Sequence, residues 1–119
     1  MIEPQLHAES IGEWRDWLEV YHADESEIWL VFYKKKTGKQ VFTYGESVEE
    51  ALCFGWVDSV ERGIDEERYA LRFTPRKKKS TWSESNKKRV AKLIDEGKMR
   101  EAGLRAVEMA KENGMWGEG

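Results

Sequence analysis

Apolar residues at helical spacing mark the first predicted element of the chain. Four of them share one face shortly after the amino terminus: Trp14, Trp17, Leu18 and Tyr21. Ser10, followed three residues later by Glu13, forms a capping box, in which each side chain satisfies a backbone N–H at the start of a helix. The pattern therefore predicts a helix that begins after Ser10 and packs its aromatic face inward.

A second helical pattern precedes Gly55, a residue that favours the end of a helix. Its apolar stripe consists of Val48, Ala51 and Leu52. Two capping boxes compete for its start, Thr43 with Glu46 and Ser47 with Glu50. The last turn would carry Cys53, which we expect to be a small buried residue.

Two more helices are predicted in the last third of the chain. A capping box of Thr81 and Glu84 precedes the inward-facing residues Val90, Leu93 and Ile94, and Gly97 lies beyond the end of this helix. The run "MREAGLRAVEMAKENG" predicts the fourth helix, ended by Asn113 and Gly114. Across the whole chain, we expect six residues to be largely buried: Trp14, Trp17, Leu52, Phe73, Leu93 and Val107.

Three segments have the pattern of β-strands. Residues 27–35, "EIWLVFYKK", are apolar on both faces and predict a central strand. The other two predicted strands are 56–62 and 68–74. The short loop around Gly63 between them cannot provide the crossover that a parallel pair needs, so they should pair antiparallel. The order α-β-α-β-β-α-α predicts an α+β fold, with a small, mainly antiparallel three-stranded sheet packed by about four helices. A length of 119 residues indicates a single domain, 1–119.

Composition narrows the classes of function. A single cysteine excludes an internal disulfide and a cysteine-rich zinc site. No apolar run approaches the roughly 20 residues that cross a membrane, and "MIEPQLHAES" lacks the features of a secretory signal. We therefore expect a cytoplasmic protein without a membrane segment. Specific signatures such as HExxH and the phosphate-binding loop are absent, and the sequence predicts no metal and no cofactor.

The stretch "CFGWVDS" at 53–59 contains the first candidate for a functional site. Gly55 would let the chain leave the second helix and enter a strand at once. Asp58 lies two residues beyond Trp56, so both side chains point to the same face of that strand. If helices cover this face, the carboxylate is buried and needs a cation or several hydrogen-bond donors. Arg76 is the candidate cation, because hairpin pairing would bring 56–58 beside 74–76.

The remaining candidate residues lie in two basic segments, 34–39 and 73–89. Eleven of the twenty Lys and Arg fall in the windows 34–39, 76–79 and 87–89, although the net charge is -3. The segment "FTPRKKKSTWSESNKKR" leads into a predicted helix start, where unpaired N–H groups attract anions. The sequence therefore predicts a site for an anionic small molecule formed by Lys34, Lys35, Trp56, Asp58, Arg76, Ser80, Trp82, Ser83 and Asn86.

The same segments carry a resemblance to a known family. "EEALCFGWVDS", "YALRFTPRKKKSTWSESN" and "GKMREAGLRAVEMAKENGMW" resemble the YdeI/OmpD-associated family, also labelled bacteriocin-protection (OmdA-like) proteins. The similarity extends from Trp14 to Trp116. It implies a role in stress or bacteriocin protection, and it implies no particular reaction or catalytic residues.

Three interpretations of function stay open at this point. The first is a module that binds an anionic small molecule, and the second is an enzyme using Asp58 with Lys or Arg in the same pocket. The third is a nucleic-acid binder with Lys and Arg on phosphates and Trp82 stacked on a base; the negative net charge disfavours it. Asp58 could equally be a structural partner of Arg76. The sequence does not indicate the oligomeric state.

Overall fold

The structure, a computed structural model, describes residues 2–117 and is an α+β fold with four α-helices and a four-stranded sheet. The elements are β1 (Gln5–Leu6), α1 (Ile11–Tyr21), β2 (Ile28–Tyr33), α2 (Tyr44–Cys53), β3 (Trp56–Gly63), β4 (Arg68–Pro75), α3 (Glu84–Asp95) and α4 (Glu101–Asn113). A single 3₁₀ turn, Lys35–Thr37, follows β2. Within 2–117, no helix has the length and apolar character needed to span a bilayer.

The sheet has the order β1-β2-β4-β3, so the prediction of three strands was one strand short. β1 pairs parallel with β2 through two residues, too few to show an alternating pattern in the sequence. The prediction of a central strand is confirmed, since β2 lies between β1 and β4 and is buried from Ile28 to Phe32. This strand ends at Tyr33, two residues before the predicted boundary.

β3 and β4 form the predicted antiparallel hairpin. Trp56 pairs with Pro75 and Asp58 with Phe73, and a register shift follows Asp58. Asp65 shapes the turn, because its Oδ1 accepts the backbone N–H groups of Glu67 and Arg68. The hairpin register thus brings the start of β3 beside the end of β4.

The helices cover one face of the sheet. The core includes Leu30 and Phe32 from β2 and buried side chains from every helix. Five of the six predicted core residues are buried: Trp14, Leu52, Phe73, Leu93 and Val107. Trp17 is only partly buried because it lies at the margin of the core. The inward orientation predicted for Ile94 was wrong, since this side chain is 49% exposed beside the buried Leu93.

The helix starts confirm two predicted caps and correct two others. The Ser10 hydroxyl accepts the N–H of Glu13, and Thr43 forms a complete capping box with Glu46. Ser47 instead lies inside α2, where its buried hydroxyl donates to the carbonyl of Tyr44. The cap of α3 is Ser83 and not Thr81. Trp82, which lies between them, is buried in the core, and the helix begins only after it.

The end of α2 and the start of α4 are in close backbone contact. Gly55 has a φ of 76°, a conformation that favours glycine, and it lets β3 begin directly after the helix. The N–H of Arg100 donates to the carbonyl of Cys53 at 3.0 Å. A Cβ on Gly103 would lie 2.6 Å from the carbonyl oxygen of Leu52 and would also clash with that of Cys53. Both glycines are therefore required by the packing of two helices.

We expect Gly103→Ala to destabilise the protein by about 1–3 kcal/mol or more, since the new methyl group meets backbone that cannot rotate away. Gly12→Ala is the matched control, because Gly12 also lies in the first turn of a helix but its Cβ would meet only the Ser10 hydroxyl at 3.6 Å. That change should be neutral or stabilising by up to about 1 kcal/mol. Equal effects of the two changes in chemical denaturation would contradict this account of the junction.

Candidate functional site

The exit of α2 brings the first two candidate segments together. The backbone N–H of Arg76 donates to the carbonyl of Gly55 at 2.9 Å, one residue beyond the end of β4. Trp56 is 1% exposed, and its indole N–H donates to the carbonyl of His22. The predicted proximity of 56–58 to 74–76 is therefore confirmed.

The Arg76 side chain is held by Trp82. Its guanidinium carbon lies 3.8 Å from the centroid of the Trp82 ring, close enough for a cation–π interaction. Nη2 donates to the carbonyl of Thr81 at 2.9 Å. Nε and Nη1 are buried and have no hydrogen-bond partner among residues 2–117. Burial lowers the pKa of Arg76, and the carboxylate of Asp58 acts in the opposite direction.

The expected direct contact between Asp58 and Arg76 was wrong. Asp58 is partly buried, and its Oδ2 accepts a 2.8 Å hydrogen bond from the hydroxyl of Tyr44. The described residues form no ion pair between Asp58 and Arg76, because the guanidinium turns onto Trp82 and the Thr81 carbonyl. The negative charge of Asp58 thus favours the charged form of Arg76 without a direct contact between the two side chains.

Tyr44 is a member of this site that the sequence did not predict. The residue is 49% exposed, while its hydroxyl donates to Asp58. Partial burial and the hydrogen bond to Asp58 raise the pKa of Tyr44 to about 12, and the charge of Arg89 opposes this rise. Tyr44 is the first residue of α2, and nothing in its spacing indicates that the phenol reaches β3.

Arg89 is the second member that was missed. Its Nη2 lies 3.7 Å from the position that a Cβ on Gly45 would take, which places the guanidinium beside the first turn of α2. Nη1 donates to the Asn86 side-chain oxygen at 3.2 Å. Asn86 and Arg89 are three residues apart on α3 and so share a face, a signal that was available in the sequence. The charge of Arg89 acts on Tyr44 and the charge of Asp58 acts on Arg76, so these four residues influence one another electrostatically.

The other predicted site residues have different surroundings. Ser83 uses its hydroxyl to cap α3 by accepting the N–H of Asn86. Ser80 is partly buried, and its backbone N–H donates to the carbonyl of Lys77. The backbone N–H of Lys34 donates to the backbone carbonyl of Glu67. Lys35 and Tyr44 both line a separate groove of about 580 Å³. Trp82 is 8% exposed, so its ring is part of the core.

The space next to Arg76 is small. A cavity of about 30 Å³ is bordered by Arg76, Lys77, Trp82 and residues of α4. This volume suits one water molecule or a single small ligand group. Within 2–117, His, Cys, Asp and Glu form no group of three that could hold a metal ion.

Cys53 has the surroundings of a structural residue. Its side chain is fully buried, and burial raises the pKa of the thiol, although the positive charge of Arg15 acts in the opposite direction. A raised pKa keeps the thiol protonated at neutral pH and therefore weakly nucleophilic.

The Tyr44–Asp58 hydrogen bond predicts a specific pH dependence. Because the folded-state pKa of Tyr44 lies above its ordinary value of 10.0, this contact stabilises the fold below pH 10 and loses that effect as the pH rises towards 12. The difference in tyrosinate absorbance between wild type and Tyr44→Phe should give a pKa near 12. In an Asp58→Asn background the pKa should fall but stay above 10.0, since burial is the larger cause.

Asp16→Asn, at an exposed position on α1, is the control and should leave the titration unchanged. A Tyr44 phenol that titrates near 10.0 in the wild-type protein would show that neither burial nor a hydrogen bond to Asp58 acts on its hydroxyl.

The comparisons with known proteins give one match, to a family model. Neither the curated proteins nor the solved structures include a significant match to the chain. A family model described as "Domain of unknown function (DUF8412)" matches residues 6–106. The matched region includes Tyr44, Asp58, Arg76 and Arg89. The chain belongs to this family, the domain of unknown function DUF8412.

Proposed function

We propose that the protein binds a small oxyanion, a carboxylate or a phosphate group, through the buried edge of the Arg76 guanidinium group. The observation that carries the proposal is the buried edge of Arg76, where Nε and Nη1 have no partner among the described residues. A buried donor without an acceptor destabilises a protein by about 1–3 kcal/mol, and by more when the group is charged. An oxyanion would satisfy these donors with charge-assisted hydrogen bonds.

The local charge balance favours an anionic ligand. Two guanidinium groups, Arg76 and Arg89, interact electrostatically with the Tyr44–Asp58 pair, which contains a single carboxylate. Arg89 makes no ion pair with a carboxylate among residues 2–117. The site therefore has an excess of one positive charge, which suits a ligand group that carries one negative charge.

Asp58 has a distinct role in this proposal. Its carboxylate favours the charged form of Arg76, which burial would otherwise disfavour. That carboxylate accepts a hydrogen bond from Tyr44, and it forms no ion pair with Arg76 within residues 2–117. Arg76 thus keeps its charge and also keeps donors for a ligand.

The environment of Trp82 disfavours the nucleic-acid interpretation. Stacking on a base requires an open ring face, but Trp82 is 8% exposed, contacts Trp116 and carries Arg76 on its ring. Lys77, Lys78 and Lys79 are exposed and could attract phosphates, yet they would do so without reading a sequence. We therefore favour a small ligand.

The resemblance to the YdeI/OmpD-associated family is a separate proposal. It is based on "ALCFGW", the acid Asp58 and the run from Arg76 to Asn86. A role in stress or bacteriocin protection depends on that resemblance and is independent of the oxyanion site.

Arg76→Met tests the oxyanion site directly. Methionine keeps an unbranched apolar chain against Trp82 and removes the buried donors that lack partners. The lost cation–π interaction and the removed unsatisfied donors act in opposite directions, so the free energy of unfolding should stay within about 1 kcal/mol of wild type or rise. Inorganic phosphate should raise the melting temperature of wild type and have no such effect on the variant.

The matched control is Arg62→Met, at an exposed position near the end of β3, which should respond to phosphate like wild type. If Arg76→Met loses more than about 2 kcal/mol and retains the full response to phosphate, Arg76 is a structural residue and the proposal is wrong.

Asp58→Asn separates a site residue from a structural one. The amide keeps the shape and can still accept the Tyr44 hydroxyl, while the negative charge beside Arg76 disappears. We expect the apparent affinity for phosphate to change by more than the change in stability can explain. A clear loss of stability with unaltered phosphate affinity, measured by calorimetric titration and denaturation, would assign Asp58 a purely structural role.

A further inference from the structure

A groove between α3 and α4 is separate from the site at Arg76. We call it the α3–α4 groove; its volume is about 540 Å³, and neither Arg76 nor Trp82 lines it. Its apolar lining comes from both helices and from the segment after α4: Val90, Ala91, Ile94, Val107 and Trp116. Val90 and Val107 form a buried floor, whereas Ile94 is 49% exposed.

Lysine side chains border one end of the groove. Lys87 and Lys88 come from the first half of α3, and Lys111 comes from the last turn of α4. Lys87 pairs with Glu84, which is the acidic residue among the described lining. Lys88 and Lys111 form no ion pair with a carboxylate among residues 2–117. This end of the groove therefore presents two ammonium groups without a carboxylate partner in the described part of the chain.

The other end of the groove is apolar and exposed. Ile94 lies in the last turn of α3. On α4, Leu104 is 41% exposed and lies three residues before Val107, so these two side chains share one face of the helix. At 1.5 Å per helical residue, Ile94 lies about 9 Å along α3 from Lys88. A partner that covers both ends must match a positive charge and an apolar side chain at that spacing.

The exposed face of α1 has the complementary pattern. Glu13, Asp16 and Val20 are exposed and follow one another at helical spacing, so they form one stripe, which we call the α1 stripe. Glu13 and Asp16 form no ion pair within residues 2–117. Val20 is 64% exposed, the largest value among the described large apolar side chains. From Glu13 to Val20 the helix rises about 10.5 Å, which is close to the rise from Lys88 to Ile94.

We propose that the α3–α4 groove binds the α1 stripe of a second copy of this chain. Glu13 and Asp16 would meet Lys88 and Lys111, and Val20 would pack against Ile94. Two matches identify the occupant: opposite charges at one end with apolar side chains at the other, and an equal spacing between the two ends. Opposite charges on facing surfaces determine which partner binds and in which orientation. This interaction is independent of the oxyanion site.

The two surfaces are different parts of the chain, which restricts the assemblies that can form. A contact made twice about a two-fold axis closes a dimer, and a contact made once per copy builds an open chain. Both assemblies have a mass above that of the monomer, so sedimentation equilibrium of the full chain detects either of them. One helix face in one groove is a small interface, and we expect association only between about 0.1 and 1 mM protein. Added salt should weaken it, because exposed charges are screened.

An exchange of charges tests the contact itself. Glu13→Lys and Lys88→Glu each bring like charges together, so each variant alone should associate about tenfold more weakly than wild type. An equimolar mixture should recover the association. In the mixture, the groove of the Glu13→Lys chain keeps Lys88 and can bind the unchanged α1 stripe of the Lys88→Glu chain. The reverse contact also joins opposite charges.

Matched variants serve as controls. Glu66→Lys and Lys36→Glu make the same charge changes at exposed positions outside both surfaces, and they should associate like wild type. Val20→Ser should weaken association about threefold, since less apolar area leaves water. Val41→Ser, at a position that is 63% exposed but outside the contact, should have no effect.

Three results would overturn the proposal: a monomer at about 1 mM wild-type protein, no recovery in the mixture of the two charge variants, or equal losses for Lys88→Glu and Lys36→Glu. None of these results bears on the oxyanion site, which Arg76→Met and phosphate test separately.

Discussion

The fold depends on the close approach of two backbones, where the start of α4 passes over the last turn of α2. Gly103 lies against the carbonyl groups of Leu52 and Cys53, and the N–H of Arg100 donates to the latter. Gly55 then turns the chain directly into β3, and its carbonyl accepts the N–H of Arg76 at the end of β4. One helix end therefore sets the position of the last helix and of both strands of the hairpin. The core residues pack around this junction.

The candidate site is a consequence of that arrangement. Because β3 begins at Trp56, Asp58 falls opposite Phe73 and faces the helices. Tyr44, at the far end of α2, reaches the same carboxylate, and the exit of β4 carries Arg76 under Trp82. No single element contains the site: Tyr44, Asp58 and Arg76 come from or beside the ends of a helix and two strands, and Arg89 comes from the middle of α3. This explains why a carboxylate, a phenol and two guanidinium groups lie together at the margin of an otherwise apolar core.

Local patterns predicted most of the fold and only part of the site. Alternating side chains and a short loop predicted the β3–β4 hairpin. Hydroxyl residues followed three positions later by Glu identified the starts of α1 and α2. The two residues of β1 are too few to show a period. Thr81 and Ser83 carry equivalent capping chemistry, and only the burial of Trp82 decides between them. The sequence also paired Asp58 with Arg76 by charge, whereas Tyr44 and the Trp82 ring compete for these two groups in three dimensions.

The junction between α2 and α4 also constrains the order in which the fold can form. The β3–β4 hairpin closes through a short turn, and contacts between neighbouring segments form early with little loop entropy. The junction joins residues 52–55 to residues 100–103, and a ribosome delivers α4 after every other helix and strand described here. Until α4 emerges, the carbonyl groups of Leu52 and Cys53 remain in water and the surface that receives α4 remains uncovered. The native state of a nascent chain is therefore completed from its carboxyl-terminal side.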